Sequence, residues 1–226
     1  MALEKYKEKR NFAETPEPAG GPLTEGQFRF VVQRHDASRL HYDLRLELGG
    51  VLKSWAVPKG PSLDSKDKRL AMMTEDHPVD YLDFEGTIPA GNYGAGTMIV
   101  WDHGTFQPVN KDHEAISEKE ALAGIDNGEL KFSLKGEKLN GEFVLVQLKN
   151  AKEGNAWLLI KHKDEFASAG YDSEKDLTDA QQKQIAINEK FQGELAEKPA
   201  RKTPVKKAAA VKEPVKKKSP KNPSLK

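Results

Sequence analysis

Two histidines and two aspartates crowd one short stretch of this chain, in the run Gln33-Arg34-His35-Asp36-Ala37-Ser38-Arg39-Leu40-His41-Tyr42-Asp43-Leu44-Arg45-Leu46-Glu47. On an extended strand His41 and Asp43 lie about 7 Å apart at Cα, a spacing from which two donors converge on one ion. His35, at the end of the preceding strand, supplies a third. Two imidazoles and a carboxylate without thiolate suit Mn²⁺, Fe²⁺, Zn²⁺ or Co²⁺, with coordination positions left for water and substrate, and the spacing does not choose among them. A second group follows: Lys59 in Val57-Pro58-Lys59-Gly60-Pro61, then Arg69, then Glu75-Asp76-His77-Pro78. A metal beside Arg, Lys and His is what phosphoryl chemistry needs: cations to neutralise the nonbridging oxygens, and a metal to polarise phosphorus or orient water. His77, if protonated, would donate to the leaving oxygen. Taken singly, each residue has an ordinary alternative as a solvated cation or a turn; taken together they point to one site.

Strands must position these groups. In Leu40–Leu48 polar and apolar residues alternate without a break, so His41, Asp43, Arg45 and Glu47 share one face and Leu40, Tyr42, Leu44, Leu46 and Leu48 the other. The leucine face must meet a core, which sends the polar face to a barrel mouth or to water. Other strand-like runs are FRFVVQRH, VLKSWAV, RLAMMTE, TMIVWDHGTF, ELKFSLKG, GEFVLVQLK and AWLLIKH, and Gly49-Gly50 makes a hairpin turn between the second and third. About eight closely spaced strands with few helices predict a mainly β fold, a small antiparallel β-barrel with short helices. A helical pattern is confined to residues 113–124 and to a polar segment, 172–195, docked through Ile185, Ile187, Phe191 and Leu195. The expected organisation is an extended N-terminal arm over residues 1–26, a barrel domain over 27–170, a polar helical segment over 171–197 and a disordered Lys/Pro/Ala-rich tail over 198–226.

Composition narrows the chemistry. With 226 residues, 37% hydrophobic and 31% charged, one core of ordinary size is the default. There are no cysteines, which excludes disulfides, thiolate metal sites and cysteine nucleophiles. No apolar run reaches 18 residues and the N-terminus MALEKYKEKR is charged, so neither a membrane span nor a secretory signal is expected, and a cytoplasmic, nucleoid-associated protein is. The net charge of +1 hides an asymmetry: Lys198–Lys226 holds 11 Lys or Arg against Glu213 alone, a net of +10, so the remainder carries −9. Such a tail is attracted to polyanions and reads as a nucleic-acid tether. The Gly-rich stretch Pro89-Ala90-Gly91-Asn92-Tyr93-Gly94-Ala95-Gly96 lacks the Lys-Ser/Thr of a P-loop and precedes a strand, so it reads as a turn. Trp55, Trp101 and Trp157 lie in apolar runs and read as core.

The run His35–Glu47, followed by Leu52-Lys53-Ser54-Trp55-Ala56-Val57-Pro58-Lys59-Gly60-Pro61-Ser62, Glu75-Asp76-His77-Pro78, Tyr81, Phe84-Glu85-Gly86-Thr87-Ile88-Pro89, Tyr93-Gly94-Ala95-Gly96 and Ile99-Val100-Trp101-Asp102, resembles the 3′-phosphoesterase module of bacterial DNA ligase D. The resemblance extends from the N-terminal arm to about Lys163. It implies a β-barrel with Mn²⁺, or Co²⁺ or Zn²⁺ in its place, held by residues matching His35, His41 and Asp43 on its surface or in a crescent groove. Phosphate contacts and transition-state stabilisation fall to Arg45 and His77, supported by Lys59, Arg69 and Tyr81, with Glu75 as an auxiliary acid. Arg10 and Glu17 match positions that assist removal of a ribonucleoside, whereas Asn11 stands where an aspartate is usual. The implied activity has two steps on DNA: a phosphodiesterase removes a 3′-terminal ribonucleoside, and a phosphomonoesterase removes the 3′-phosphate left behind, giving a ligatable 3′-hydroxyl. Partners implied are DNA with 3′-ribonucleotide or 3′-phosphate ends, a DNA ligase, an end-joining polymerase and an end-binding protein. A monomer is the simplest expectation. No ligase or polymerase domain follows in this sequence, which fits either a free-standing enzyme or a fragment of a longer chain. The rival reading, from another class, is a noncatalytic end-binding scaffold.

Overall fold

The computed structural model describes residues 3–21, 26–150 and 154–197, with side chains described to residue 189. Nine strands carry the fold: β1 (Arg29–Asp36), β2 (Leu40–Leu48), β3 (Val51–Val57), β4 (Lys68–Met73), β5 (Gly86–Ile88), β6 (Gly96–Val109), β7 (Glu129–Gly136), β8 (Asn140–Gln147) and β9 (Ala156–Lys161). The sheet order is β1-β2-β3-β4-β9-β8-β7-β6-β5, and β1 also pairs with β6. That last pairing closes an eight-stranded antiparallel barrel, with β5 left outside it on the first residues of β6. Closure removes the open edges that an eight-strand sheet would otherwise present.

The barrel interior is apolar. Tyr42, Leu44, Leu46 and Leu48 from β2 meet Phe30, Val32, Trp55, Trp101, Phe132, Phe143, Leu145 and Trp157, and all three tryptophans are buried there, as their apolar settings predict. The opposite parity does not face a mouth or water, as the sequence suggests. It lies on the outer barrel wall and is roofed by a second layer, in which Tyr6, Tyr81, Leu82, Phe84 and Ile88 pack on Val31, Leu52 and Met98 of the wall. The cause is the N-terminal arm together with a 3₁₀ turn over Val79–Asp83 and β5, which supply apolar cover that strand periodicity cannot reveal.

The arm is not extended throughout: helix α1 spans Glu4–Glu8 and inserts Tyr6 into the second layer. Helix α2 spans Glu118–Asn127, later in the chain than the pattern suggests. Its start is set by the Ser117/Glu120 capping box and its end by Gly128 at φ 88°. Helix α3 spans Asp179–Glu197, preceded by a turn over 173–175. Ile187 is exposed, and α3 is joined to the barrel instead by Gln181, whose side-chain amide donates to the carbonyls of Val100 and Trp101 at 3.0 and 2.8 Å. Phe191, Leu195 and the basic tail over 198–226 lie outside the described side chains. Among the described residues no helix is long and apolar enough to cross a membrane.

Candidate metal centre and the adjoining cleft

β1 and β2 are paired with His35 opposite His41 and Gln33 opposite Asp43. This register brings the three expected ligands together on the outer wall. One donor atom from each lies within 4.8 Å of the others. His35 Nδ1 is 3.6 Å from Asp43 Oδ2, and His41 Nε2 is 3.5 Å from Asp43 Oδ1.

Backbone carbonyls fix which ring nitrogen faces inward. Gly94 O is 3.0 Å from His35 Nε2, and Arg39 O is 2.9 Å from His41 Nδ1. A carbonyl can only accept, so those nitrogens carry the protons, and His35 Nδ1 and His41 Nε2 turn lone pairs toward the carboxylate. Burial raises the Asp43 carboxyl's pKa, but the Arg45 guanidinium beside it outweighs that effect. The carboxyl is held well below the usual carboxylate range. Three converging lone-pair donors, one of them ionised, fit a divalent cation of the N/O-binding class.

The Gly-rich turn therefore has a part that its sequence does not announce. It lacks the residues of a P-loop, but its Gly94 carbonyl orients the His35 imidazole. Gly96 is required close by, because a Cβ there would sit 2.5 Å from Asp36 O.

A cleft of about 280 Å³ opens beside the triad and is also lined by Arg10, Glu17, Arg45, Glu75, His77, Tyr81 and Tyr93. Arg45 is buried and donates to Gln33 Oε1 (2.7 Å), Ser54 Oγ (3.1 Å) and Asp43 Oδ2 (2.9 Å), with its guanidinium 4.7 Å over the Tyr81 ring. Arg10 reaches in from the arm. It donates to Glu17 Oε1 and Glu75 Oε1, both at 2.8 Å, to the Tyr6 carbonyl at 3.2 Å, and to His77 Nε2 at 3.0 Å. Among the described residues, two of the five N–H bonds of Arg45 and one of the five of Arg10 have no acceptor. Tyr81 donates to Glu17 Oε1 at 2.9 Å, while Glu17 Oε2 is buried without a hydrogen-bond partner among the described residues. Burial, the largest cause, pushes the Tyr81 hydroxyl's pKa up, and it stays a neutral donor.

His77, Lys59 and Arg69 are placed differently from the residues above. His77 lines the cleft but is not a protonated donor: its Nδ1–H faces Glu75 O at 2.8 Å and its Nε2 accepts from Arg10. Burial first, then the Arg45 and Arg10 charges, lower its pKa well below that of an ordinary imidazole. Lys59 and Arg69 do not line the cleft. Lys59 is exposed beyond the end of β3. Arg69 shares a strand face with Ala71 and Met73, which pack on the interior core, and its Nη2 donates to Asp67 at 2.7 Å. Asn11 is also outside the cleft, accepting from the Ala13 amide at 3.2 Å.

A family model described as the DNA ligase D 3′-phosphoesterase domain matches residues 33–147, which contain the whole triad, Arg45 and His77. The chain belongs to that family. Among curated relatives of this phosphoesterase family, the multifunctional non-homologous end joining protein LigD of Pseudomonas aeruginosa is 51% identical over 165 residues, 72% of this chain and 19% of the relative. The Mycolicibacterium smegmatis protein of the same name is 44% identical over 167 residues, 72% of this chain and 21% of the relative. The multifunctional non-homologous end joining DNA repair protein LigD of Mycobacterium tuberculosis is 39% identical over 165 residues, 72% of this chain and 20% of the relative. The chain thus spans about a fifth of the length of the curated relatives it matches.

Proposed function

We propose that this chain is a metal-dependent, most simply Mn²⁺-dependent, 3′-end-healing phosphoesterase that acts on DNA ends before a ligase seals them. The observation that carries this reading is the triad itself: three oriented donors beside a cleft that holds two buried arginines. In the proposed site His35, His41 and Asp43 hold the ion, which supplies Lewis-acid polarisation of a phosphoryl oxygen and a more acidic bound water. Arg45 and Arg10 neutralise charge growing on the nonbridging oxygens with the N–H bonds they have left. His77 and Glu75 are positioning residues that aim Arg10, and Tyr81 is the platform that aims Arg45.

Glu17 carries the proposed ribonucleoside preference. Glu17 lines the cleft, and its Oε2, buried and without a hydrogen-bond partner among the described residues, would accept from a ribose 2′-hydroxyl, which deoxyribose lacks, once substrate reaches it. A diesterase step removing a 3′-terminal ribonucleoside therefore draws on the arm, and the following monoesterase step draws on the barrel wall. In the cell the proposed setting is the nucleoid, beside a ligase, an end-joining polymerase and an end-binding protein. The basic tail would make DNA affinity fall steeply with salt.

The test uses a labelled primer-template with one 3′-terminal ribonucleotide, with and without Mn²⁺, comparing the chain with its His41→Ala variant. Metal-dependent shortening to a 3′-phosphate and then a 3′-hydroxyl, lost in the variant, is expected. Tight DNA binding without cleavage would instead favour the noncatalytic scaffold.

A further inference from the structure

A second group of metal-ligating side chains lies outside the cleft. His113, Glu142 and His162 each offer a donor atom within 4.8 Å of the others. They come from three separate places: the turn after β6, the start of β8 and the residue following β9. None of them lines the cleft beside the first triad.

The barrel puts two of them side by side. On β8, Phe143 and Leu145 point into the core, so Glu142 points outward; on β9, Trp157 and Leu159 point inward, and continued alternation turns His162 outward. The two strands are joined there by the His162 amide donating to Glu142 O at 2.8 Å.

The third residue is placed by a hydrogen-bonded turn. The Asn110 side-chain oxygen accepts from the Asp112 and Glu114 amides at 2.8 and 3.0 Å, and the Asn110 amide donates to the Glu114 carbonyl at 2.9 Å. His113 sits in that turn at φ 66°, a left-handed conformation that strains an L-residue other than Gly. The strained backbone points an imidazole at a carboxylate: His113 Nδ1 is 2.8 and 2.7 Å from the two Glu142 oxygens. The His162 ring lies 5.4 Å from the His113 ring, and its nitrogens have no hydrogen-bond partner among the described residues. A simple ion pair would use one ring and leave the second without purpose.

We infer that His113, Glu142 and His162 form a second divalent-metal site, of the Zn²⁺ class, that clips the turn after β6 to the ends of β8 and β9. Two imidazoles and a carboxylate are the donor set that Zn²⁺ takes with further positions open to water, and the exposure of both histidines leaves those positions accessible. The inference does not rest on the proposed reaction.

The experiment is calorimetric titration of Zn²⁺ alone into the full, metal-stripped chain. A His41→Ala/Asp43→Ala background removes the first triad, so any ion bound there reports on the second. One ion per chain is expected in that background, and none after adding His162→Ala. His113→Asn is the companion variant, since Asn tolerates the left-handed turn while withdrawing the imidazole, and it too should abolish binding. Circular dichroism of each variant checks that the barrel is retained. No Zn²⁺ bound in the background variant, or one ion still bound after His162→Ala, overturns the site.

Discussion

The two faces of β2 are made from adjacent residues and obey different rules. Inward, Tyr42, Leu44, Leu46 and Leu48 enter a core in which shape and volume decide stability. Outward, Asp43, Arg45 and Glu47 are equally buried but sit in a polar network in which each group depends on a specific partner: Asp43 on Arg45, Arg45 on Gln33 and Ser54, and Glu47 on Arg29 through contacts of 2.8 Å. Burial on the inner face comes from the barrel's own closure. On the outer face it is supplied by the arm and the segment after β4, so the same strand serves a stable interior and a chemically poised exterior. The cost of substitution should separate accordingly.

Arg45→Met is the substitution expected to do most damage, because it acts on both stability and chemistry. It leaves Asp43 as a buried carboxylate without its guanidinium and should destabilise by about 3–5 kcal/mol. Any folded remainder should lose roughly 100-fold or more in phosphoester cleavage. Denaturant unfolding together with single-turnover cleavage checks both. Unchanged stability would mean that the network is less interdependent than its distances imply.

The paired variants Leu44→Ala and His41→Ala divide the faces most sharply. Leu44→Ala should cost about 2–5 kcal/mol through lost burial and a cavity, with metal affinity of the folded fraction retained. His41→Ala should leave the melting midpoint nearly in place, because the imidazole is partly exposed and outside both cores, yet lose metal binding and turnover. Equal effects of the two variants on metal affinity would erase the distinction between the faces.

Much of this division is legible in the sequence because period-two alternation in Leu40–Leu48 carries it directly. The barrel, its eight main strands and the buried tryptophans follow from the same local signal. What lies across long sequence separations is not legible. Nothing near Arg10 indicates that it will donate to Glu75 and His77, 65 and 67 residues away, or that it leaves His77 an acceptor. The three residues of β5 are too few to show a period, and the Gly94 carbonyl that orients His35 is a backbone group with no residue signature. Arg69 misleads for a different reason: Leu70 and Met72 on one parity and Ala71 and Met73 on the other are both apolar, so the strand does not declare its inward face.

His77 allows a test that depends on pH. Its folded pKa is depressed, so as pH falls below about 6.5 the unfolded chain takes up a proton that the folded chain refuses. The unfolded state then binds more protons and stability falls with pH. His77→Gln should remove this component, making the stability slope between about pH 6.5 and 5 shallower by up to ~1.4 kcal/mol per pH unit. Asp43 does not obscure that window. Its depressed pKa gives stability present above the unfolded value near 4 and lost only as pH falls further. Matched urea melts across the range read the difference, and identical slopes would mean that His77 is free to protonate in the fold.

The smallest expected effect bears on which cations belong to the site. Lys59 is exposed, lies past the end of β3 and does not touch the cleft, so its position in the Val57-Pro58-Lys59-Gly60-Pro61 motif is the main reason to place it in the chemistry. Lys59→Ala should change stability by no more than about 0.5 kcal/mol, as for a surface residue without a buried partner. If Lys59 meets only the DNA strand beyond the reacting phosphate, KM should rise while the single-turnover cleavage rate at saturating DNA holds, and the rise should shrink with added salt. A large fall in the saturating rate would instead mean that the turn bearing Lys59 folds over the cleft when DNA is bound. The phosphate site would then be completed by its substrate rather than preformed like the metal triad.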